Sequence, residues 1–369
     1  MIQVFKPSYD QKEVEAVAEV ILSGWVGLGP KTARFEEEFA RFSHVKYCVG
    51  LNSCTAALDM ALKLLGVNHG DEVIVPTMTF VSTAHCVAYN LATPIFADID
   101  EATLNIDIDD VARKISPRTK AIIPVHYGGR PVDLDKLKGV SGSIPIIEDC
   151  AHACGSRYKG VPVGGIGFMG CFSFHAVKNL AMGEGGALTL NDEEMTLRAK
   201  RLRWLGIDKG TWDRTKLDRS YWWEYNVDEI GLKSHLNDIL AAIGLVQLEK
   251  LEKMNERRRQ IVSLYREGLT DLFQIELPPE DGGDFISSWH LFGIKAENRD
   301  ELSVFLRDKQ INTGVHYKPI HFYRCYGNRP ILPKAEKVFP RILTLPLYPD
   351  LSDNDVSYII DSIRAFYRK

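Results

Sequence analysis

No apolar run in the 369-residue chain reaches membrane-spanning length, so no transmembrane helix is expected. The first seventeen residues, Met1 to Val17, lack a basic segment followed by an apolar core, which argues against a signal peptide. Cysteine is sparse, odd in number at seven, and never arranged as CxxC, so a zinc ribbon and a disulfide framework are both excluded. Cys150 and Cys154 stand four apart without a second ligand pair, and read as small buried residues rather than metal ligands. Charge of one sign is also missing: the formal net charge is -4, which does not mark a nucleic-acid binder. The basic run Arg257 to Arg259 has acidic neighbours at helical spacing and reads as a solvated helix face. No GxGxxG follows an early strand, so a Rossmann-type nucleotide binder is disfavoured. Internal repeats and low-complexity segments are absent. These absences point to a chain kept in a reducing cytoplasm, without nucleic-acid or membrane partners.

What is present is an ordinary globular composition, 45% hydrophobic and 25% charged. Short apolar stretches (Asp71 to Phe80, Thr119 to Gly129, Ile144 to Gly155, and "GCFSFHA" from Gly170) alternate with helical patterns such as Asn52 to Gly66. Near-continuously apolar strands imply a sheet covered on both faces. The expected class is therefore α/β, with a large domain built on a mostly parallel central sheet between helices. Asp238 to Gly268 reads as one long helix or two in sequence, and "LPPEDGGD" (Leu277 to Asp284) as a turn-rich joint. Beyond it, Ser287 to Ala296 and Ile311 to Pro319 read as strands, Arg299 to Gln310 and Asp353 to Tyr367 as helices. The expected division is residues 1–250 for the large domain and 251–369 for a smaller C-terminal α+β domain.

Polar residues collect at the carboxyl ends of the strands, where open α/β sheets bind ligands. Thr79 and Phe80 follow "VIV", Asp149 follows "IPIIE", and Ser173 follows "CF". Lys178 lies five residues past Ser173, ahead of the glycine-rich turn Gly183 to Gly186. The helix near Asn52 begins with small and hydroxyl residues, so free N–H groups of Cys54 and Thr55 suit a phosphate. Singly, each is ordinary: a surface lysine, a helix-capping acid, a core aromatic. In this order they match the needs of pyridoxal phosphate (PLP): a lysine for its Schiff base, an acid for its ring nitrogen, a phosphate cradle and an aromatic face.

Blocks along nearly the whole chain then carry a resemblance. "SGWVGLGPKTARFEEEFA", "LNSCTAALDMAL", "VIVPTMTFVSTA", "IEDCAHACGS", "FSFHAVKNLAMGEGGAL", "HLNDILAAIGLVQL" and "TLPLYPDLSD" occur in order, and the chain resembles the DegT/DnrJ-type sugar aminotransferases, fold-type-I PLP enzymes. The resemblance implies that Lys178 forms the Schiff base and later moves the proton, and that Asp149 pairs with the pyridinium nitrogen. It implies that Phe80 stacks on the ring, that Ser173, Cys54 and Thr55 bind the phosphate, and that His152 lies near the ring. Relatives take one more phosphate ligand from a neighbouring subunit, which implies a homodimer. That ligand is usually an asparagine, whereas here His235 stands in its place and Asn237 two residues on, so either is a candidate. His316, Tyr317, His321 and Trp25, with Gly27 to Gly29, are the candidates for substrate contacts. The aromatic-rich segment Thr211 to Gly231 suits stacking on a base or sugar, or dimer packing. The implied reaction passes an amino group from L-glutamate, through the pyridoxamine form, to a ketone of a nucleotide-linked deoxysugar for a surface polysaccharide such as lipopolysaccharide or a glycosylated metabolite. Dehydratase relatives carry histidine at the lysine position, so Lys178 favours transamination. A keto-cyclitol acceptor, a deoxysugar elimination and a PLP-bound sensor remain as alternatives.

Overall fold

In the computed structural model, residues 1–208, 223–327 and 330–368 are described. Part of the aromatic-rich segment, 211–222, therefore lies outside the described residues. The central sheet is built from β1 (Tyr47–Leu51), β2 (Glu72–Pro76), β3 (Thr93–Ala97), β4 (Thr119–Ile122), β5 (Ile147–Asp149), β8 (Met169–Ser173) and β9 (Gly186–Leu190). Its two ladders run β3-β2-β4 and β5-β8-β9-β1, and single parallel bridges Ile122–Ile146 and Val125–Asp149 join them. The pairs β2–β3, β2–β4 and β5–β8 are parallel, while β9 is antiparallel to both neighbours. The exception has a cause in the chain: parallel neighbours are usually joined by a crossover helix, whereas residues 174–185 between β8 and β9 form no helix and fold straight back. That loop carries Lys178.

The apolar strands are explained by helices on both faces. Along β8, Met169 and Cys171 enter one core with Leu58 and Leu188, and Phe172 enters the other with Phe35 and Phe39. Phe39 meets Phe172 edge-on at 4.9 Å between ring centroids. Helix Cys54–Leu64 begins on the Ser53 cap, whose hydroxyl accepts from Ala56 N–H, and the chain turns away at Gly66 with φ 68°.

Asp238–Leu269 is a single helix of 32 residues. Its first half gives Ala241, Leu251 and Met254 to a core of the large sheet, and its second half gives Ile261, Tyr265 and Leu269 to a separate C-terminal core. A division at 250/251 thus falls inside this helix. The Arg257–Arg259 run departs from the expected solvated face. Arg257 pairs with Asp353 and Arg259 with Glu252 and Glu256, but Arg258 turns inward and is buried. Helical rotation of about 100° per residue sends the middle residue of three to a different face.

The C-terminal unit holds an antiparallel sheet of β10 (Ile275–Glu276), β12 (Phe292–Ala296) and β13 (Ile342–Leu345), with helices Arg299–Asp308 and Asp353–Tyr367. A small sheet of β6 (Arg157–Tyr158), β7 (Val161–Pro162) and β11 (Phe285–Ile286) reaches towards it from the large unit. The N-terminus joins the C-terminal unit: Ile2 bridges Ile311, and Val4 C=O accepts from Leu347 N–H. The expected strand over 311–319 does not form. Only single bridges at Ile311 and Gly314 occur, and the backbone then leaves the sheet to deliver His316 and Tyr317 to the cavity described next.

Candidate active site

A cavity of about 340 Å³ opens at the carboxyl ends of β2, β5 and β8. Lining it are Cys54, Thr55, Phe80, Asp149, His152, Ser173, Lys178, His316 and Tyr317, nine of the residues singled out in the sequence.

The candidate phosphate end is the first turn of helix Cys54–Leu64. Cys54 and Thr55 open this helix and line the cavity, so their N–H groups have no acceptor within the helix and stand at the positive end of its dipole. Thr55 Oγ1 meets Ser82 Oγ at 2.7 Å, and Ser173 Oγ accepts only a long bond, 3.5 Å, from His175 N–H. Gly186 explains the end of the glycine turn: a Cβ there would overlap the backbone of Ser53 and Cys54. Gly183 holds φ 91° and Gly185 φ 156°, so the turn reverses the chain and lays β9 directly under the cradle.

At the end of β5 sits Asp149, 3% exposed, with the Cys54 thiol 4.0 Å from its Oδ1. Its Oδ1 accepts from Ala151 N–H at 3.0 Å and its Oδ2 from Thr83 Oγ1 at 2.9 Å, and Thr79 Oγ1 meets Thr83 Oγ1 at 2.9 Å. Burial raises its pKa, and the Ala151 amide, Thr83 and the Lys178 charge only partly offset this. A cationic nitrogen set against Asp149 would favour its carboxylate form and offset that rise. On the other face of β5 the adjacent Glu148 accepts from His126 and from Gly164, Ile166 and Gly167 N–H, all within 3.0 Å. His126 Nδ1 in turn accepts from Val132 N–H. His126, Glu148 and Cys150 gather within 4.8 Å, with the first two already partnered by protein and the Cys150 thiol pushed up by burial.

Lys178 sits at the tip of the β8–β9 loop, which closes through Phe174 N–H to Gly185 C=O and Ala176 N–H to Gly183 C=O. Loss of solvent lowers its pKa to about 8, against the raising effect of Cys54 and Asp149. His152 receives Gly128 N–H on Nδ1 at 3.3 Å, so its Nε2 carries the proton towards Tyr317 Oη, 2.9 Å away. Burial first, then Lys178 and His316, hold it well below the usual histidine range. Phe80 is 57% exposed, a bare aromatic face at the cavity mouth with Tyr317 6.1 Å away. His316 Nδ1 meets Thr344 Oγ1 at 2.8 Å, and burial, then Lys178, lower its pKa to about 4.

Four candidates lie off this cavity. His321 is buried between Thr77 Oγ1 (2.5 Å) and Glu336 Oε1 (3.3 Å), a tie between β2 and the C-terminal unit rather than a cavity wall. Trp25 donates its indole N–H to Leu28 C=O, in a loop fixed by Asp238, which accepts from Gly29, Lys31 and Thr32 N–H and Thr32 Oγ1. Asn237 caps the long helix by accepting from Leu240 N–H. His235 packs edge-on to Trp204 at 4.4 Å, with its Nδ1 unpartnered among the described residues, and burial lowers its pKa to about 4. Sequence reasoning missed Ser82, Thr83 and His290, which lies 3.4 Å from Lys178 Nζ. The two hydroxyls meet although Thr79 lies ahead of helix Ser82–Tyr89, so helical spacing did not reveal Thr83.

The chain is similar in sequence and fold to known proteins. The DegT/DnrJ/EryC1/StrS aminotransferase family model matches residues 7–364. The spore coat polysaccharide biosynthesis protein SpsC of Bacillus subtilis is 40% identical over 372 residues, covering 97% of this chain and 95% of its own. The aminotransferase TlmJ of Streptoalloteichus hindustanus superposes with a TM-score of 0.94 at 38% identity, covering 100% of this chain and 99% of its own. The sugar aminotransferase Spr1654 of Streptococcus pneumoniae, in its PMP form, gives 0.94 at 34% identity with coverage of 100% and 99%. With the fold, the cavity and the full-length match in agreement, the chain belongs to the DegT/DnrJ/EryC1/StrS aminotransferase family.

Proposed function

We propose that the chain is a PLP-dependent aminotransferase that moves an amino group from L-glutamate to the ketone of a nucleotide-linked deoxysugar. The observation that carries this reading is one cavity holding the N–H groups of a helix start, a buried acid and a lysine whose pKa is near 8. The donor set fits the cofactor: Cys54 and Thr55 N–H with Ser173 Oγ for the phosphate, Phe80 for a ring face, Asp149 for a basic ring nitrogen, Lys178 for an aldehyde. When bound, PLP supplies an aldehyde that takes up the amino group and a ring that accepts an electron pair.

The chain's own part is placement and proton handling. Asp149, fixed by Thr83 and Ala151 N–H, presents a carboxylate that stabilises a cation at the ring nitrogen. Lys178 Nζ, poised near neutrality, takes a proton from the donor's carbon in one half-reaction and returns one in the other. His152 donates from Nε2 to Tyr317 Oη and keeps that phenol beside the cavity. His316 and Tyr317 are the wall available to a sugar. Spr1654 is named a sugar aminotransferase and has been solved with PMP and with PLP, and SpsC is named for polysaccharide biosynthesis; both support this substrate class. A homodimer belongs to the proposal, with His235 or Asn237 of the partner subunit reaching the phosphate; the Asn237 helix cap uses its Oδ1 and leaves Nδ2 to donate.

The test is direct. Purified protein is incubated with PLP, reduced with borohydride and digested, and peptide masses locate the cofactor. A separate portion receives L-glutamate, and the released cofactor is separated by chromatography. Attachment at Lys178 and conversion to pyridoxamine phosphate support the reading, and a panel of nucleotide ketosugars and free keto-cyclitols then ranks acceptors. Attachment elsewhere, or none, overturns it. Attachment without conversion by glutamate leaves a cofactor-binding protein with another donor or a sensing role.

A further inference from the structure

His290 lies on a turn of the C-terminal unit, far in sequence from the PLP constellation. Its Nε2 is 3.4 Å from Lys178 Nζ, and it is 2% exposed. The two loops that bring these atoms together are tied at the neighbouring residues. Asn179 Nδ2 donates to Ser288 C=O at 2.7 Å and to Asn255 Oδ1 at 2.8 Å, and Asn255 Nδ2 donates to Cys154 C=O. The His290 turn is pinned from the other side as well: His290 N–H and Leu291 N–H both donate to Gly128 C=O, and Ser288 Oγ donates to His152 C=O. Trp289 holds a left-handed φ of 49°, a conformation seldom taken by a residue with a Cβ and one that clusters at functional sites. The imidazole is stacked on Phe5 at 5.3 Å with an interplanar angle of 10°, and its centroid is 4.6 Å from that of His152.

We propose that His290 is a positioning residue that accepts a hydrogen bond from the Lys178 amine whenever that amine is not joined to the cofactor, holding its Nζ in one place beside the cavity. The proposal rests on the reading of Lys178 given above and adds a second, named resting place for its Nζ. The lysine leaves the cofactor in the half-reaction with the donor and rejoins it at the end of the other, and between the two a long buried side chain without a partner would lose its position. Within this cavity the other groups that act on the lysine are Cys54 and Asp149, and those facing His290 are His152, His316 and Arg258. Burial, then Lys178, His152, Arg258 and His316, keep His290 well below the usual histidine range, so its imidazole is neutral and one ring nitrogen has a free lone pair. Its Nδ1 has no protein partner, so the contact with Lys178 is the one side-chain hydrogen bond this imidazole makes among the described residues.

The readout needs no cofactor. Cofactor-free protein is labelled with an amine-reactive reagent across a pH series, and peptide mass analysis follows labelling at Lys178 alone. Removing the acceptor removes a hydrogen bond to a charged group, so in His290→Phe, which keeps the stack on Phe5, the labelling midpoint falls by about one pH unit. His290→Asn, too short to reach Nζ, shifts it likewise and serves if the phenylalanine variant does not fold. His290→Gln places a carbonyl near the lost Nε2 and restores the midpoint. An unchanged midpoint in the folded Phe or Asn variant overturns the proposal, and so does an equal shift in all three, which would be a packing effect. Borohydride trapping of PLP at Lys178 in the unmodified protein keeps the two readings apart: if trapping fails, the cofactor reading falls whatever the labelling shows.

Discussion

At the residue scale the chemistry turns on two groups displaced from their ordinary ionisation in opposite directions. Lys178 is lowered by loss of solvent to about 8, and Asp149 is raised by the same cause. A neutral amine is the nucleophile, so cofactor capture at Lys178 should slow about tenfold for each pH unit below about 8 and level off above it. Stopped-flow absorbance of PLP uptake across pH checks this, and a flat profile from pH 6 to 9 would remove the perturbed lysine from the argument. Lys178→Ala should retain its circular dichroism spectrum and lose both capture and amino transfer. Asp149→Asn removes a charge while leaving the Thr83 and Ala151 contacts formable, so it should still bind PLP and turn over about 10²–10³-fold more slowly. Steady-state assays decide it: turnover within a few-fold of the parent would mean the acid has no part in the reaction. The sequence showed both residues through their place at strand ends. It did not show Thr83 beneath the acid or His290 beside the lysine, because neither contact follows from spacing along one strand.

At the element scale, the site depends on how closely β9 approaches the first turn of helix Cys54–Leu64. Gly186→Ala would place a methyl group against the backbone of Ser53 and Cys54, which cannot rotate away as a side chain would. Overpacking of this kind costs about 1–3 kcal/mol, and here the movement is at the phosphate cradle. The expected result is a lower melting temperature together with weaker PLP binding, read by thermal denaturation and by fluorescence titration. A variant that loses stability but binds PLP as before would separate the cradle from this contact. The glycine turn was visible in the sequence as a turn; that its last residue is glycine because another backbone lies on it became clear only from the packing. The stretch 311–319 carries the opposite lesson. Its β-forming residues read as a strand, yet the backbone pairs at single points and then breaks to place His316 and Tyr317 in the cavity. Tertiary contacts outweighed local propensity there.

At the scale of the whole molecule, one helix of 32 residues ties the large sheet to the C-terminal core, and residues 2–4 return to that core from the other end of the chain. His290, His316 and Tyr317 therefore reach the cavity from the smaller unit while Lys178 and Asp149 come from the larger. The proposed dimer extends this sharing to a second chain. If His235 of the partner subunit holds the phosphate, Lys178→Ala and His235→Ala chains should each be poorly active alone. Mixed under conditions that exchange subunits, they should regain activity, since half of the sites in a hybrid then have both residues. Sedimentation velocity establishes the dimer, and the absence of any regain in a demonstrated hybrid would take His235 out of the phosphate site.

What the sequence determined by itself was the α/β class and most of the residues that line the cavity, Lys178, Asp149, Phe80 and Ser173 among them. Burial periodicity and strand-end position are local properties, and both are written in the order of residues. Tertiary structure decided what lies against what. It turned Arg258 inward from a run of charges, tied His321 between Thr77 and Glu336 away from the cavity, gave Asn237 to a helix cap and set His290 against Lys178. Each of these is a contact between segments distant in the chain. Such contacts are chosen by the packing of whole elements, which no short stretch of residues specifies.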